Sequence, residues 1–392
     1  MRSSPPQILL DVTRLLGRLC KGRLPTGVDR VGIAYIEHYG VRARATLRFA
    51  GWMFVLPKPA SDRLFRWLLN PRMRLDAVKI VVIALLTGWR NQQVSGSFLF
   101  NTGHSGLERS DCPDMFKRMQ VLPILFVHDL IPITHPEYCR VGEGDRHAVR
   151  IGNALRVASG IVVNSQATGN ELAAFARRFG QTMPPFVVGL LGAGILNGCA
   201  DRRPMEFPYF VVLSTIEPRK NHWLLLQIWK SLVQSMGDSA PRLIVIGQRG
   251  WDCENVATLL DRCESLKGYV HELSCCTDAE LANYLHHAQA LLFPSFAEGY
   301  GMPVVEALFL SVPVIASDLP VFREVAGNIP EYVDPLDAIR WGELVKEYAN
   351  FGSKCRAEQL RRRGGFRAPT WANHFVKVDS MLEQLSQMES HV

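Results

Sequence analysis

The residues that constrain the architecture most lie in the last third of the chain, where positions 294–318 read PSFAEGYGMPVVEALFLSVPVIASD. The pattern predicts the end of a strand, a glycine-rich turn and a helix. Gly299 and Gly301 let the backbone approach a ligand closely, and a helix beginning near Met302 would point free N–H groups and the positive end of its dipole at the turn. Phosphate suits this geometry.

Two carboxylates flank the turn. Glu298 lies on it and Glu306 lies about one turn into the helix, so both can reach one pocket and accept hydrogen bonds from sugar hydroxyls. The alternative is an ordinary strand–helix unit with surface glutamates and a flexible turn. Two glutamates at this spacing are a weak signal alone, but the complete string favours a ligand site.

A second segment, at positions 214–222, reads STIEPRKNH, follows a predicted strand and opens a helix. Its basic residues can stabilise the negative charge that develops on a leaving diphosphate, without any metal. Lys220 is the first choice for this role and Arg219 the second, since one of the two can instead form a structural salt bridge.

Further strands are predicted where short apolar runs end in polar residues. In the first half of the chain these runs are Ile8–Val12, Phe98–Asn101, Ile124–His128 and Gly160–Asn164. Because ligands of open α/β sheets bind beyond the carboxyl ends of the strands, the polar residues there are expected to line one crevice. They are Asp11, Asn101, His104, His128, Asp129, Asn164 and Ser165.

The strand pattern restarts after a polar stretch at positions 194–208. The later runs are Phe210–Ser214, Arg242–Gly247, Tyr269–Leu273, Ala290–Pro294, Val314–Ser317 and Glu331–Val333. A length of 392 residues also favours two domains. We therefore predict two doubly wound Rossmann-like α/β domains facing a central cleft, at 1–200 and 201–370, with a terminal helix at 371–392 that can pack back on the first domain.

Composition narrows the class of protein. Lys and Arg exceed Asp and Glu by 44 − 37 = 7, which favours anionic partners, but the charge is dispersed and does not favour nucleic acid. The nine cysteines are scattered without a zinc-like spacing, so no metal site or disulfide framework is predicted, and the chain is expected to be cytoplasmic. The N-terminus does not resemble a secretory signal, and the longest apolar run, at 80–89, is too short to span a bilayer.

With these motifs the sequence resembles the retaining GT-B glycosyltransferases of family 4, whose E-x7-E signature is matched by Glu298 and Glu306. The resemblance implies that Glu298 binds hydroxyls of the donor sugar and that Glu306 binds the ribose. It also implies that the amides of Tyr300, Gly301 and Met302 lie against the diphosphate and sugar. Fold, retention of configuration, a nucleotide-sugar donor and the absence of a metal or other cofactor are further implications.

The second segment resembles the basic clamp of the same family, with Lys220 and Arg219 on the donor diphosphate. Some relatives carry an additional arginine three residues before the glutamate of this motif, where this chain has Ser214. The difference leaves fewer cations for the diphosphate but keeps the clamp.

Two motifs of the first half also resemble this family. The loop that contains Gly27 looks like the one in which a glycine approaches the donor phosphate; an ordinary helix capped by Thr26 or Asp29 is the alternative. The pair His128 and Asp129 resembles a His-Asp loop, so His128 joins Glu298 and Lys220 as a predicted catalytic residue.

Asp129 would orient His128 or support its loop, while Asn101, His104 and Ser165 are predicted acceptor or pocket contacts. A satisfied polar residue at a strand end is the alternative for His128.

The acceptor is expected to be a glycan or a lipid-linked molecule in surface polysaccharide assembly, and family analogy suggests a GDP-mannose-like donor. Basic residues around the apolar stretches 64–69 and 80–89 would suit peripheral contact with anionic membrane; a core helix with a solvated basic face is the alternative. These residues are Arg63, Arg66, Arg72, Arg74, Lys79 and Arg90. A nucleotide-sugar epimerase, a sugar phosphorylase and a non-catalytic sugar- or lipid-binding scaffold are the competing functions.

Overall fold

The computed structural model describes residues 7–23, 25–49, 51–70, 82, 94–194 and 202–389. The described strands are β1 Ile8–Asp11, β2 Ala43–Phe49, β3 Trp52–Val55, β4 Phe98–Asn101, β5 Leu122–Val127, β6 Gly160–Val163, β7 Phe186–Val188, β8 Tyr209–Leu213, β9 Arg242–Ile246, β10 Val270–Leu273, β11 Leu291–Phe293, β12 Val314–Ser317 and β13 Glu331–Val333.

The described helices of the first half are α1 Thr13–Cys20, α2 Gly27–Tyr39, α3 Lys58–Leu69, α4 Cys112–Met119, α5 Ile131–Thr134, α6 Glu143–Val157 and α7 Gln166–Arg178. Those of the second half are α8 His222–Met236, α9 Glu254–Arg262, α10 Asp278–His286, α11 Met302–Phe309, α12 Pro320–Ala326, α13 Ala338–Ala349, α14 Lys354–Arg363 and α15 Trp371–Glu389. Short 3-10 turns include Pro136–Tyr138 and Pro218–Lys220.

The strands form two sheets. The first has the order β3-β2-β1-β4-β5-β6-β7, with β3 antiparallel to β2 and the other pairs parallel. The second has the order β10-β9-β8-β11-β12-β13 and is parallel throughout. Both are doubly wound, which confirms the predicted Rossmann-like architecture.

The strand order places a topological switch point in each sheet. In the first sheet β1 lies between β2 and β4, and in the second β8 lies between β9 and β11. Where the connections after two neighbouring strands run in opposite directions, a crevice opens at the carboxyl ends of those strands. The two segments richest in predicted ligand contacts, which follow β8 and β11, therefore begin at the switch point of the second sheet.

Apolar packing holds each sheet between its helices. In the second unit the core includes Trp229, Trp341 and Tyr348, all fully buried, and the two indole N–H groups donate to backbone carbonyls, Pro241 O at 2.8 Å and Asp334 O at 3.0 Å. The buried rings thus contribute apolar area without leaving a polar group unsatisfied.

The chain divides into two compact units at positions other than those expected. The first contains the described residues within Met1–Thr134, Val141–Leu191 and Trp371–Val392; the second contains His135–Arg140 and those within Gly192–Thr370. The predicted border at 200/201 thus lies in a segment outside the described residues, and 135–140 belong to the second unit. There the Tyr138 ring stacks on Phe296, with 5.1 Å between ring centres.

The terminal helix α15 packs against β6 and β7 of the first unit. Its His374 contacts the Tyr35 hydroxyl at 3.0 Å, and Asp379 accepts a hydrogen bond from the Tyr39 hydroxyl at 2.9 Å. A helix far along the chain therefore completes the first unit through contacts with α2.

Three strands were absent from the sequence prediction: β2, β3 and β7. β2 and β3 lie between positions 41 and 97, where the sequence resembles no motif of the family, and β7 has three residues. No helix within the described ranges is long and apolar enough to cross a bilayer. Part of the predicted membrane contact lies outside the described residues. This part comprises Arg72, Arg74, Lys79, Arg90 and most of the stretch 80–89.

Candidate active site

The turn after β11 has the backbone geometry that its glycines predict. Gly301 caps α11 with φ of 93°, and a Cβ at this position would lie 2.6 Å from Cε1 of Phe322. Glycine is required here both for the left-handed conformation and for this close approach. The α11 helix then begins at Met302, with Pro303 in its first turn, where a missing N–H removes no helical hydrogen bond.

The Glu298 carboxylate lies in contact with both predicted cations. Its Oε1 contacts Nζ of Lys220, and its Oε2 accepts a hydrogen bond from Nη1 of Arg219 at 2.9 Å. Arg219 Nη2 also donates to Glu217 at 2.8 Å, and its Nη1 donates to the Ala297 carbonyl at 2.9 Å. The two segments that follow β8 and β11 are thus joined by charge pairs at the switch point.

The backbone around the basic pair is fixed as well. Lys220 ends a 3-10 turn, and Asn221 follows with φ of 55° and donates to the Pro335 carbonyl at 2.8 Å. The amide of Phe296 donates to the Arg219 carbonyl at 2.9 Å. Nζ of Lys220 lies 5.3 Å from the centre of the Phe293 ring. The Lys220 ammonium group therefore lies near the Phe293 ring and contacts the Glu298 carboxylate.

Burial and charge set the ionisation of this cluster. Burial alone would raise the pKa of the Glu298 carboxyl, but Lys220 and Arg219 outweigh it and lower this pKa to about 2. The pKa of Lys220 is lowered by its burial and by Arg219, and Glu298 opposes that effect. The carboxylate is consequently ionised at neutral pH and stabilises the two neighbouring cations.

The other predicted donor contacts lie along the same turn and helix. Glu306 is buried in α11, with 3% of its surface exposed, and Tyr300 is buried as well. Gly301 and Met302 form the start of the helix. The structure therefore brings these four residues and Glu298 together on one segment, while their contacts with a donor stay predictions.

Near Gly27 the structure has the capped helix that was the alternative to a phosphate-binding loop. The Asp29 carboxylate accepts from the Thr26 amide at 2.8 Å, and the two residues form a capping box for α2. Asp29 is buried and also pairs with Arg14 at 3.2 Å and Arg18 at 2.8 Å. The cap leaves the phosphate role of Gly27 a prediction, and it adds two arginines that the sequence pattern did not single out.

The predicted crevice residues of the first unit do lie together. Asn101 Nδ2 donates to Asp11 Oδ2 at 3.3 Å, and Asn164 Nδ2 donates to the His128 carbonyl at 2.8 Å. The rings of His104 and His128 are 5.2 Å apart between centres. The carboxyl ends of β1, β4, β5 and β6 therefore form one polar cluster, as their apolar runs predicted.

Several of these side chains have structural partners. His128 Nε2 contacts the Thr102 carbonyl at 2.7 Å, Asp129 accepts from the Ile131 amide at 3.1 Å, and Ser165 caps α7 by accepting from the Thr168 amide at 3.0 Å. These bonds fix the His-Asp loop. Binding roles for His128, Asp129 and Ser165 stay predictions.

A third histidine extends the cluster. His147 lies 5.8 Å from His104 between ring centres, donates from Nε2 to the Asp129 carbonyl at 3.1 Å and contacts Arg150 Nη1 through Nδ1 at 2.9 Å. Burial lowers the pKa of His128 to about 4 and holds the pKa of His104 well below its usual range. His147 was missed from the sequence, although Glu143, His147 and Arg150 lie at helical spacing on α6.

Among the described residues, no group of three or more His, Cys, Asp or Glu side chains is arranged to hold a metal ion. The eight cysteines in the described ranges are free thiols. Metal independence stays a prediction.

Comparisons with known proteins bear on this site. Residues 200–340, which contain both segments at the second switch point, match the model of the family described as Glycosyl transferases group 1. The serotype-specific mannosyltransferase WbdA of Escherichia coli is 27% identical over 216 residues, which is 51% of this chain and 26% of that protein. The O-antigen chain mannosyltransferase B of Escherichia coli is 34% identical over 129 residues, or 33% of each chain. The matches thus span about a quarter to a third of these relatives.

Solved structures extend the likeness over the whole chain. Anabaena HepE, in complex with UDP and glucose, has a TM-score of 0.66 at 16% identity and covers 99% of this chain and 100% of its own. Sucrose-phosphate synthase of Thermosynechococcus elongatus has a TM-score of 0.62 at 14% identity, with 98% of each chain covered. These comparisons confirm the GT-B fold and the resemblance to group 1 glycosyltransferases; assignment to family 4 and the retaining outcome stay predictions.

Proposed function

We propose that this protein is a retaining, metal-independent glycosyltransferase that moves a sugar from a nucleotide-sugar to a glycan or lipid-linked acceptor. The observation that carries the proposal is the charge cluster of Lys220, Arg219 and Glu298 at the second switch point, beside the start of α11. Two cations, one carboxylate and a helix N-terminus are the groups that a diphosphate joined to a sugar needs.

The diphosphate, the sugar and the ribose of a nucleotide-sugar would each have a counterpart in the second unit. Lys220 and Arg219 would stabilise the diphosphate, and the first amides of α11 would add the positive end of the helix dipole. Glu298 would turn to the hydroxyls of the sugar once the diphosphate takes its place on the cations. Glu306, buried in the same helix, would accept hydrogen bonds from the ribose.

The reaction would need no carboxylate nucleophile. The bond between the anomeric carbon and the diphosphate oxygen breaks, and the acceptor oxygen bonds to that carbon on the same face. The acceptor proton passes to an oxygen of the departing diphosphate, whose added negative charge Lys220 and Arg219 stabilise. His128, neutral at pH 7 because burial lowers its pKa to about 4, would contact the transferring sugar or the acceptor as a hydrogen-bond partner.

The relatives support a mannose donor and surface polysaccharide assembly. Two are described as O-antigen chain mannosyltransferases, of Escherichia coli and Salmonella typhimurium, and another as a serotype-specific mannosyltransferase. We therefore infer a GDP-mannose-like donor. The scattered cysteines and the basic residues around 64–69 and 80–89 are the grounds for proposing a cytoplasmic reaction at the inner face of the membrane. Flotation with anionic liposomes at low and moderate salt tests the membrane contact, and absence of binding at both would contradict it.

Nucleotide binding is tested by thermal shift with UDP, GDP, ADP and CDP in excess chelator. One nucleotide should stabilise the protein, and Lys220→Ala and Glu306→Ala should each weaken that stabilisation. Lys346→Ala, which removes an exposed lysine of α13, is the control for loss of positive charge. No shift with any nucleotide at about millimolar concentration, which corresponds to a binding free energy weaker than about −4 kcal/mol, would favour the scaffold function.

Product analysis separates the enzymatic alternatives. Proton NMR of the transferred sugar should show the anomeric configuration of the donor, with chelator present throughout. Conversion of the nucleotide-sugar without acceptor would indicate an epimerase, and a requirement for inorganic phosphate would indicate a phosphorylase. An inverted product or strict metal dependence would contradict the proposed mechanism.

A further inference from the structure

A cavity of about 180 Å³ lies in the first unit beside the hairpin formed by β2 and β3. The hairpin supplies Phe49, Gly51 and Trp52, while the chain between β4 and α4 supplies Ser105, Gly106, Arg109 and Asp111. Side chains of α4 close its inner end. None of the residues singled out by the sequence as site candidates lines this cavity, so it is a separate feature of the unit.

Two aromatic side chains stand at the rim. Phe49 and Trp52 are directly paired across the antiparallel strands, so their side chains leave the sheet on the same face. They are 68% and 64% exposed. Single exposed apolar residues are ordinary, but two adjacent rings that border one cavity offer an apolar surface to a ligand.

The cavity also offers hydrogen bonds in a fixed plane. Arg109 and Asp111 hold one another in a forked pair, with Nε–Oδ1 at 2.9 Å and Nη2–Oδ2 at 2.8 Å. Both side chains remain about half exposed, which leaves guanidinium N–H groups and carboxylate lone pairs available to a ligand. A paired donor and acceptor beside aromatic side chains is an arrangement suited to an amphipathic ring.

The charges at this cavity balance. Arg109 pairs with Asp111, and Arg48, which is nearly buried, pairs with Asp11 at 3.1 Å. Two positive and two negative side chains give no net attraction for a phosphate or an anionic lipid. A neutral ligand with an apolar face and a rim of hydroxyls, which is the chemistry of a pyranose, fits the surface better.

The cavity adjoins the predicted acceptor crevice. Asn101 Nδ2 donates to the Ser105 carbonyl at 3.0 Å as well as to Asp11, and Ser105 follows His104 in the chain. Ser105 lines the cavity while His104 belongs to the histidine cluster. A chain of sugars with its end in the crevice could thus extend an inner sugar into the cavity.

We propose that this cavity is a subsite for an inner sugar residue of a glycan acceptor, with Trp52 and Phe49 against its apolar face and Arg109 and Asp111 on its hydroxyls. The inference rests on the proposed glycosyltransferase function and extends it to the acceptor. It makes the acceptor an oligosaccharide chain and not a single sugar.

The probe is a series of α-linked mannose oligosaccharides of increasing length, from a methyl mannoside to a tetrasaccharide. The full chain is labelled with 5-fluorotryptophan, and the Trp52 signal among the eight tryptophans is assigned by its loss in Trp52→Phe. The Trp52 fluorine signal should move with the longer oligosaccharides and not with the monosaccharide. Affinity should rise with length in the native protein, and Trp52→Ala should remove that gain.

Acceptor kinetics give the second measurement. Trp52→Ala should raise KM for the longer acceptor by tenfold or more, equivalent to about 1.4 kcal/mol, and leave KM for the nucleotide-sugar unchanged. Arg109→Lys, which keeps the charge but loses the forked geometry, should act in the same direction. Phe179→Ala, which removes another half-exposed ring of the first unit, is the control and should change neither KM.

Three outcomes would overturn the subsite. The first is a Trp52 signal that does not respond to the tetrasaccharide at about 20 mM, a concentration that detects even weak binding. The second is a Trp52→Ala protein whose affinity still rises with oligosaccharide length or whose acceptor KM is unchanged. The third is a Trp52 signal that responds to anionic vesicles in place of sugars. Nucleotide stabilisation of the same preparations separates the failures, because its loss contradicts the glycosyltransferase and its retention confines the failure to the subsite.

Discussion

Replacing Glu298 by glutamine should strengthen the binding of a nucleoside diphosphate while it slows sugar transfer. In the free protein the Glu298 carboxylate contacts both Lys220 and Arg219. A diphosphate that uses these cations must displace the carboxylate or bind beside its negative charge. Glutamine keeps the size of the side chain and removes the charge, so the cations become available to the ligand.

The magnitude follows from the ionisation of Glu298. Against the effect of burial, the two cations lower the pKa of its carboxyl from the usual 4.5 to about 2. At about 1.4 kcal/mol per pH unit, the charged form is stabilised by about 3 kcal/mol. The wild-type protein loses part of this free energy when a diphosphate displaces the carboxylate. We expect Kd for the diphosphate to fall at least about tenfold in Glu298→Gln, with an upper limit of about a hundredfold.

Isothermal titration calorimetry with GDP and UDP, in chelator and at two salt concentrations, measures this effect. Glu217→Gln is the matched control. Glu217 contacts Arg219 at 2.8 Å, and its replacement leaves the contact between Lys220 and Glu298 in place, so the gain should be smaller. Transfer by Glu298→Gln should fall because the amide is a weaker acceptor for sugar hydroxyls. Equal or weaker diphosphate binding by a folded Glu298→Gln protein would refute the reasoning.

Three further outcomes are expected. Burial lowers the pKa of His128 from 6.5 to about 4. Between these pH values the unfolded state binds more protons than the folded state, so the free energy of unfolding should fall as the pH drops from 6.5 to 4. Urea titrations across that range should show a smaller decrease for His128→Gln. Gly301→Ala should lower the free energy of unfolding by more than Gly142→Ala, because both have positive φ but only the first would place a Cβ within 3 Å of another side chain; similar losses in denaturant midpoints would contradict this steric argument. Asp29→Asn weakens a helix cap and leaves two arginines without their shared carboxylate. It should destabilise the protein by about 2 kcal/mol in urea unfolding, whereas no change would show that the cap and the partly exposed ion pairs contribute nothing net.

Much of the candidate site was predictable because its signals are local. The strand, glycine-rich turn and helix around Gly301 lie within one segment, and hydrophobic periodicity with glycine conformation determines such a unit without distant contacts. The carboxyl ends of β1, β4, β5 and β6 were located correctly for the same reason. Parallel strands buried on both faces read as continuous apolar runs that end in polar residues.

Other features depend on residues that are far apart in the chain. Whether Lys220 or Arg219 would make a salt bridge was open, and the structure shows that both contact Glu298, 78 and 79 residues away. The hairpin of β2 and β3 was missed because only β2 has a neighbouring strand on both sides. β3 lies at the edge of the sheet with the Trp52 ring exposed. Edge strands carry a weak apolar pattern, since solvent takes the place of one neighbouring strand.

Two doubly wound sheets, the glycine-rich turn and the spacing of Glu298 and Glu306 could be predicted from the sequence, because each depends on neighbouring residues. Other features became known from the folded chain alone: 135–140 belong to the second unit, α15 completes the first, and two cations contact the Glu298 carboxylate. Burial and ion pairing depend on which distant segments lie close together in space. Periodicity along the chain records which face of an element is buried, but not which partner covers it.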